Sequence, residues 1–307
     1  MLPVITRRRF LLGLAATGLA SRVPAVFAQG AERPITRPIP SSGQALPVIG
    51  MGTWRTFNVG SDPVLLDQRA HILEVFFERG GEVVDSSPMY GSAEAAMGRL
   101  TERLGRYDSL FAATKVWTSD GSATREEVER SEELWGVEQL DLMQVHNLLG
   151  WEGHLETLKA MKADGRIRYI GITTSHGRRH SEFARIMETE PLDAVQLTYN
   201  ILDREAEERL LPLAKERGIA VIANRPYQGG RLFDRFQSHP LPDWAGEVGA
   251  GNWAEFFLKF IVSHPAVTCA IPATTQVEHM RENMGALYGK LPNADQRQRM
   301  IDYIGTL

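Results

Sequence analysis

The chain has 307 residues, 43% of them hydrophobic, with a formal net charge of −4. That is ordinary globular composition and enough chain for a large core. No basic cluster lies beyond the first 28 residues, so nucleic-acid binding is unsupported. The single cysteine, Cys269, permits no intrachain disulfide, and its apolar neighbours mark it as a buried, inert thiol.

The first segment in chain order reads as an address. Arg7 to Arg9 precede an apolar run from Phe10 to about Ala20, and the stretch closes on Ala25-Val26-Phe27-Ala28. A basic region, an apolar region and a terminal cleavage site make a signal peptide. The run is too short for a comfortable membrane span. Thr6-Arg7-Arg8-Arg9-Phe10-Leu11 resembles the twin-arginine export signal at every position. The resemblance implies folded export by the twin-arginine machinery to the periplasm, with residues 1–28 removed and no stable membrane span afterwards. An ordinary secretory signal or an uncleaved anchor is the plainer alternative. The segment carries four arginines and no acid, so the remainder has a charge of −8.

Residues 29–36 read as a linker and 37–307 as one folded domain. A Pro-rich stretch runs from Arg33 to Pro40, and LPVIGMGTW then reads as a strand ending in a glycine turn. Short apolar runs alternate with helical patterns from there. The strand candidates end at Met51, Asp85, Thr114, His146, Thr173, Gln196, Ala223 and Pro272. They are apolar on both faces, as strands of a buried parallel sheet must be. Leu66, Leu73 and Phe77 share one helical stripe, and Leu155, Leu158 and Met161 another. A third helix is expected with Asp203 as its N-cap and a kink at Pro212. Most strand ends lie about 25 to 35 residues apart, the length of a strand–helix unit. Eight such units make an α/β fold of the (β/α)8 barrel type. An open doubly wound sheet is the rival, but no G-x-G-x-x-G follows the first strand. The longest gap between strands, Asn224 to Val267, is rich in Gly, Pro and aromatics, as loops over a barrel's C-terminal mouth are.

Chemistry in a barrel sits where strands end. Asp85 closes the second strand, Tyr90 follows it, Lys115 closes the third and His146 the fourth. Singly, each has a plain structural reading: a helix cap, a packed ring, a solvated amine, a satisfied imidazole. Together on successive strand ends they form a constellation. A phenol with a pKa of about 10 is a poor donor near neutrality. A nearby ammonium favours the phenolate, and a carboxylate keeps that ammonium charged. An imidazole can orient a substrate oxygen. The set is a tuned general acid for a developing alkoxide.

These blocks resemble the aldo-keto reductase family. VVDSSPMYGSAE is similar to its Asp-Thr-Ala-x-x-Tyr-Gly-x-Glu block, and DLMQVHN to its histidine-bearing strand. LKAMKADGRIRYIGIT and IPATTQVEHMREN are similar to two later segments, and the likeness runs from about Arg37 to Ile304. It implies a catalytic set of Asp85, Tyr90, Lys115 and His146, with Tyr90 as general acid in carbonyl reduction and base in alcohol oxidation. Lys115, supported by Asp85, would lower the Tyr90 pKa. Trp54 and Trp117, beside these strand ends, would form an apolar wall for the substrate.

The resemblance also implies a nicotinamide dinucleotide, NADP(H) or NAD(H), extended across the barrel mouth. Thr53, Trp54, Thr173, Thr174, Gln196, Asn224, Arg225, Tyr227, Thr274, His279, Glu282 and Asn283 are the positions that would line it. Gln196 matches a residue that bonds the carboxamide. Thr173-Thr174 replace the family's Ser-Asn pair. Asn224-Arg225-Pro226-Tyr227 replace Tyr-Ser-Pro-Leu, so the stacking ring is absent from its usual place. Arg225 offers a cation to a pyrophosphate oxygen. Ala273 and His279 stand where members selective for the phosphorylated cofactor carry Lys and Arg, which weakens the case for NADP(H).

The expected activity is interconversion of an aldehyde or ketone with an alcohol. The alternative is a weakly catalytic nicotinamide-binding partner module on the same barrel. A metal-dependent hydrolase lacks its His-x-His or clustered-carboxylate pattern, so no metal is expected.

Overall fold

The computed structural model describes residues 33–307. The export signal read over 1–28, the cleavage point after Ala28 and residues 29–32 of the linker lie outside the described residues. Among the described residues no helix is long and apolar enough to cross a membrane.

From Thr36 the Pro-rich stretch is already folded. β1 (Thr36–Pro38) pairs antiparallel with β2 (Ala45–Pro47), Arg37 opposite Leu46. The single strand expected over LPVIGMGTW is therefore split. Pro47 has no N–H with which to extend a ladder. At Gly50 the chain runs so close to its neighbour that a Cβ would lie 2.7 Å from the Val83 carbonyl oxygen. The chain leaves the hairpin at Pro47 and joins the barrel as β3 (Met51–Gly52).

The remaining strands are β4 (Val83–Asp85), β5 (Phe111–Val116), β6 (Leu140–Val145), β7 (Ile167–Thr173), β8 (Ala194–Thr198), β9 (Ala220–Asn224) and β10 (Cys269–Ala270). β3 to β10 lie side by side in chain order, every pair parallel. A parallel bridge between Ile49 and Ala270 joins the ends, and the Gly52 N–H donates to the Pro272 carbonyl at 3.0 Å. The result is a (β/α)8 barrel.

Helices α1 (Pro63–Glu78), α2 (Ala93–Leu104), α3 (Thr124–Trp135), α4 (Trp151–Ala163), α5 (His180–Thr189) and α6 (Leu210–Arg217) return the chain between strands. α7 (Arg231–Phe236) and α8 (Trp253–Val262) fill the long gap after β9, and α9 (Val277–Gly285) and α10 (Ala294–Gly305) follow β10. Leu73 and Phe77 of α1, and Leu155, Leu158 and Met161 of α4, are buried in the shell between helices and strands. The helix expected to kink at Pro212 instead breaks. A 3-10 turn at Glu205–Glu207 precedes α6, so Pro212 falls in the first turn, where its missing N–H costs nothing. Asp203 caps no helix, and its carboxylate accepts from Asn200 Nδ2 at 2.8 Å.

Alternation along each strand positions the site. Val83, Phe111, Ala113, Leu142, Tyr169, Ala194, Ala220 and Ile222 face inward and form one apolar cluster with Ile39 and Leu46 of the hairpin. The hairpin thus plugs the barrel where the strands begin. Ser41 Oγ donates to Asp193 Oδ1 at 2.7 Å and Tyr169 Oη to Ser42 Oγ at 2.8 Å, fixing the plug. Two residues further along the same inward rows come Asp85, Lys115, Gln144, Gln196 and Asn224, and on β7 Thr173 follows Tyr169 by four, past Gly171. The strands are thus not apolar on both faces throughout: beside these inward groups, Asp141 of β6 and Arg168 of β7 form an ion pair on the outer rows.

α2 crosses α3 closely at Gly98, where a Cβ would lie 2.1 Å from the Leu134 carbonyl oxygen. Gly98→Ala therefore forces the helices apart. The expected loss is about 1–3 kcal/mol, read as a lower denaturant midpoint at unchanged slope.

Candidate active site

Asp85 ends β4 and Lys115 lies near the end of β5, both pointing into the barrel. Lys115 Nζ is 2.6 Å from Asp85 Oδ2 and 2.6 Å from the Ser86 carbonyl oxygen. The other carboxylate oxygen, Oδ1, accepts from Gln196 Nε2 at 2.8 Å and Gln144 Nε2 at 3.1 Å. The ion pair is buried, with side chains 1% and 3% exposed. Pro88 and a Ser87 cap start the 3-10 turn Pro88–Tyr90, which swings Tyr90 back over the pair. Lys115 Nζ lies 5.1 Å from the centroid of the Tyr90 ring. His146 follows β6 and meets Tyr90 edge-to-face, centroids 5.9 Å apart at 87°. The four side chains named from sequence therefore converge.

Burial and charge set their protonation. Burial opposes the Lys115 ammonium, but Asp85 and Tyr90 outweigh it and hold its pKa above the usual lysine value. Burial, with the Lys115 charge, lowers the His146 imidazole to about 3, so it is neutral at physiological pH. The Tyr90 phenol departs from expectation. Burial raises its pKa more than Lys115 lowers it, and Asp85 adds to the rise. In the folded protein Tyr90 is a protonated, neutral donor. Glu94, the last residue of the motif around Tyr90, is buried and accepts from Thr114 Oγ1 at 2.6 Å and Trp135 Nε1 at 3.1 Å. It ties α2 to β5 and α3.

A cleft of about 720 Å³ runs from Tyr90 and His146 across the mouth to Glu282 and Asn283. Thr53, Trp54, Thr173, Thr174, Gln196, Asn224, Arg225, Tyr227, Thr274, His279, Glu282 and Asn283 all line it. Thr53 Oγ1 is turned to the Asp85 carbonyl at 3.0 Å. Trp54 is 40% exposed, with the Arg55 guanidinium 4.8 Å above its ring. Thr173 Oγ1 accepts the Asn147 N–H at 2.9 Å, and Thr174 Oγ1 donates to the Arg178 carbonyl at 2.6 Å. Asn224 bridges strands, donating to the Thr174 carbonyl at 2.9 Å and accepting from Thr198 Oγ1 at 2.7 Å. Arg225 makes no ion pair among the described residues. Tyr227 is buried, donates to Asn283 Oδ1 at 2.6 Å and packs on Phe233, centroids 4.7 Å apart. Thr274 Oγ1 accepts the Gln276 N–H at 3.1 Å at the start of α9.

Trp117, the other expected wall residue, is not among the side chains that line this cleft; it is 45% exposed, one residue past the end of β5, and its N–H donates to the Glu127 carboxylate at 2.7 Å. Sequence reasoning missed Gln144, Ser87 and Thr198. Gln144 left a trace as the one amide in the run Leu140–Val145, and Ser87 stands inside the motif that carries Tyr90.

The neutral His146 makes stability depend on pH. Its folded value of about 3 lies below the unfolded value of about 6.5, so the unfolded chain binds more protons between them. His264, lowered to about 4 by burial and Arg297, acts with the same sign. The contribution is full above about pH 6.5 and is lost as pH falls towards 3. The melting temperature should fall over that window, and His146→Asn should flatten part of the slope. An unchanged slope would mean that folding does not lower the His146 pKa.

Comparison with known proteins gives the family and the fold. Residues 48–302 match the model of the Aldo/keto reductase family. The methylglyoxal reductase YeaE of Escherichia coli (strain K12) is 26% identical over 266 residues, covering 83% of this chain and 90% of that protein. The NADH-specific methylglyoxal reductase of the same organism is 26% identical, covering 84% and 95%. Among solved structures, an aldo/keto reductase from Klebsiella pneumoniae in complex with NADP and acetate is similar with a TM-score of 0.72 at 25% identity, covering 85% of this chain and 92% of that one. With the family's pattern spanning most of its length and the four side chains assembled at the barrel mouth, the chain belongs to the aldo/keto reductase family.

Proposed function

We propose that the protein is an exported nicotinamide-dependent oxidoreductase that interconverts a carbonyl and an alcohol, with Tyr90 as its acid and base. The observation that carries this reading is the placement of Tyr90 between the His146 ring and the buried Lys115–Asp85 pair, at one end of a cleft with donors along its walls. Those walls fit a dinucleotide. Thr173, Thr174, Gln196 and Asn224 offer hydroxyls and amides suited to a carboxamide, and Gln196 and Asn224 also brace the wall. Arg225 offers a guanidinium to a diphosphate. Tyr227, His279, Glu282 and Asn283 would hold the adenosine end. The cofactor is NADP(H) or NAD(H), as the named relatives use one or the other. Arg281 faces Glu278 at 3.4 Å, and positions 273 and 279 are Ala and His, so no strong donor set for a 2′-phosphate is assembled there among the described residues.

When bound, the cofactor supplies or accepts the hydride. His146, neutral, hydrogen-bonds the substrate carbonyl oxygen and draws its charge. Tyr90 gives its Oη proton to the oxygen as alkoxide character develops. The phenolate left behind sits beside the Lys115 ammonium, which Asp85 keeps charged. The raised phenol pKa is no obstacle, because the acceptor is an alkoxide and the ammonium stabilises the product form. In alcohol oxidation the proton moves the other way. The substrate is a small aldehyde or ketone, the class named for the two Escherichia coli relatives.

The export half of the reading rests on Thr6 to Leu11 and the apolar run behind them. Folding precedes translocation by that route, so a cofactor gripped in the cleft would travel with the protein. Outside the cytoplasm it would act as a resident group, reduced by one substrate and reoxidised by another.

Two measurements test the proposal. Tyr90→Phe should lower kcat by about 100-fold or more while the nucleotide Kd holds; unchanged turnover would remove Tyr90 from the mechanism. Native mass spectrometry of the mature protein from a periplasmic extract should show a bound NAD or NADP. A bare chain that binds neither nucleotide on titration would overturn the cofactor assignment.

A further inference from the structure

We infer that Ser87 sets the tautomer of His146, placing the imidazole proton on Nε2, the nitrogen left free to meet a substrate oxygen. The catalytic consequence rests on the reductase reading above; the tautomer itself rests on the hydrogen bonds around one buried hydroxyl.

Ser87 is fully buried. Its Oγ lies 2.9 Å from His146 Nδ1 and accepts the Met89 N–H at 3.2 Å. No other partner of this hydroxyl is found among the described residues. A neutral imidazole carries one proton, so one ring nitrogen donates and the other accepts. Were Nδ1 the donor, Ser87 Oγ would accept twice and its own proton would have no acceptor in a buried setting. With Nδ1 as acceptor every group is used. The Met89 N–H donates to Ser87 Oγ, the Ser87 hydroxyl donates to Nδ1, and Nε2 carries the ring proton. Nε2 has no partner among the described residues, and His146 lines the cleft. The other tautomer would present a lone pair to the lone pairs of a carbonyl oxygen.

Ser87 is thus a positioning residue that serves two catalytic groups. Its carbonyl accepts the Tyr90 N–H at 2.9 Å, so it also closes the turn that carries the phenol. Its extended backbone, φ −167° and ψ 147°, lets one residue cap the turn and reach the ring. Burial and the Lys115 charge, which keep His146 neutral, make the choice of tautomer the remaining variable.

The test is ¹⁵N NMR of the histidine-labelled mature protein, with His146 assigned by comparison with His146→Asn. At neutral pH the wild type should show a protonated Nε2 and a pyridine-like Nδ1. In Ser87→Ala both nitrogens should move towards averaged values of exchanging tautomers, and kcat should fall at least about tenfold with nucleotide Kd unchanged. Ser87→Thr, which keeps the hydroxyl, should restore the wild-type pattern and most of kcat. A protonated Nδ1 in the wild type, or a wild-type pattern in Ser87→Ala, would overturn the inference. The NMR readout needs no turnover. The expected pattern in a protein without reductase activity would uphold the tautomer assignment while removing the functional reading.

Discussion

Everything at the open end of the barrel depends on burying one ion pair. A lysine ammonium at 1% exposure is tolerated only with a partner and with hydrogen bonds for what remains. Asp85 supplies the partner at 2.6 Å, and the Ser86 carbonyl accepts a second Lys115 donor. The free carboxylate oxygen is held by two amides, Gln144 and Gln196. These groups come from β4, β5, β6 and β8, so the pair is satisfied only when the barrel is closed and in register. Lys115 stands directly opposite Gln144 in the pairing of β5 with β6. The apolar plug of Ile39 and Leu46 fills the far end of the interior, which leaves the charge nowhere else to settle.

The same burial sorts the proton inventory. It keeps His146 neutral and Tyr90 protonated, so two neutral donors face the cleft beside the Lys115 ammonium. Charge then moves only when a substrate oxygen becomes basic. Dipoles and one ammonium are in place before that moment, the arrangement that lowers reorganisation in a reaction that creates an anion. The sign of the Tyr90 shift is therefore informative about the resting protein and does not conflict with a proton-donor role.

Strand ends were legible in the sequence because each short apolar run stops at a chemical side chain: Asp85, Lys115, His146, Thr173 and Gln196 stand at or within two residues of the observed ends. Period-two alternation carries these residues inward, so strand order alone brought them together. What stayed hidden depends on three-dimensional partners. Gln144 and Ser87 act on Asp85 and His146 from other elements or from a turn, and no spacing rule connects them. The Tyr90 shift needed the depth of burial. The direction of Trp117 was not legible either, because β5 ends one residue before it and period-two alternation stops there. The first hairpin was hidden by its size, three residues a side, with a proline in each strand.

Thr173, Thr174 and Asn224 take part in a connected brace. Thr173 Oγ1 accepts the N–H of Asn147, which with Leu148 holds positive φ, 52° and 58°. Two such residues in succession are strained and persist only where neighbours fix them. Arg179 supplies that fixing, its Nη1 2.9 Å from the Asn147 carbonyl and 3.2 Å from that of Leu148. From Thr174 the brace continues through Asn224 to Thr198, whose Oγ1 also accepts the His176 N–H at 3.0 Å. An aromatic ring at position 224 could make none of these bonds. The result is an inter-strand clasp that ties the loop after His146 to the ends of β7, β8 and β9. The wall of the cleft is held rigid by its own hydrogen bonds, and the strained turn after His146 is held with it.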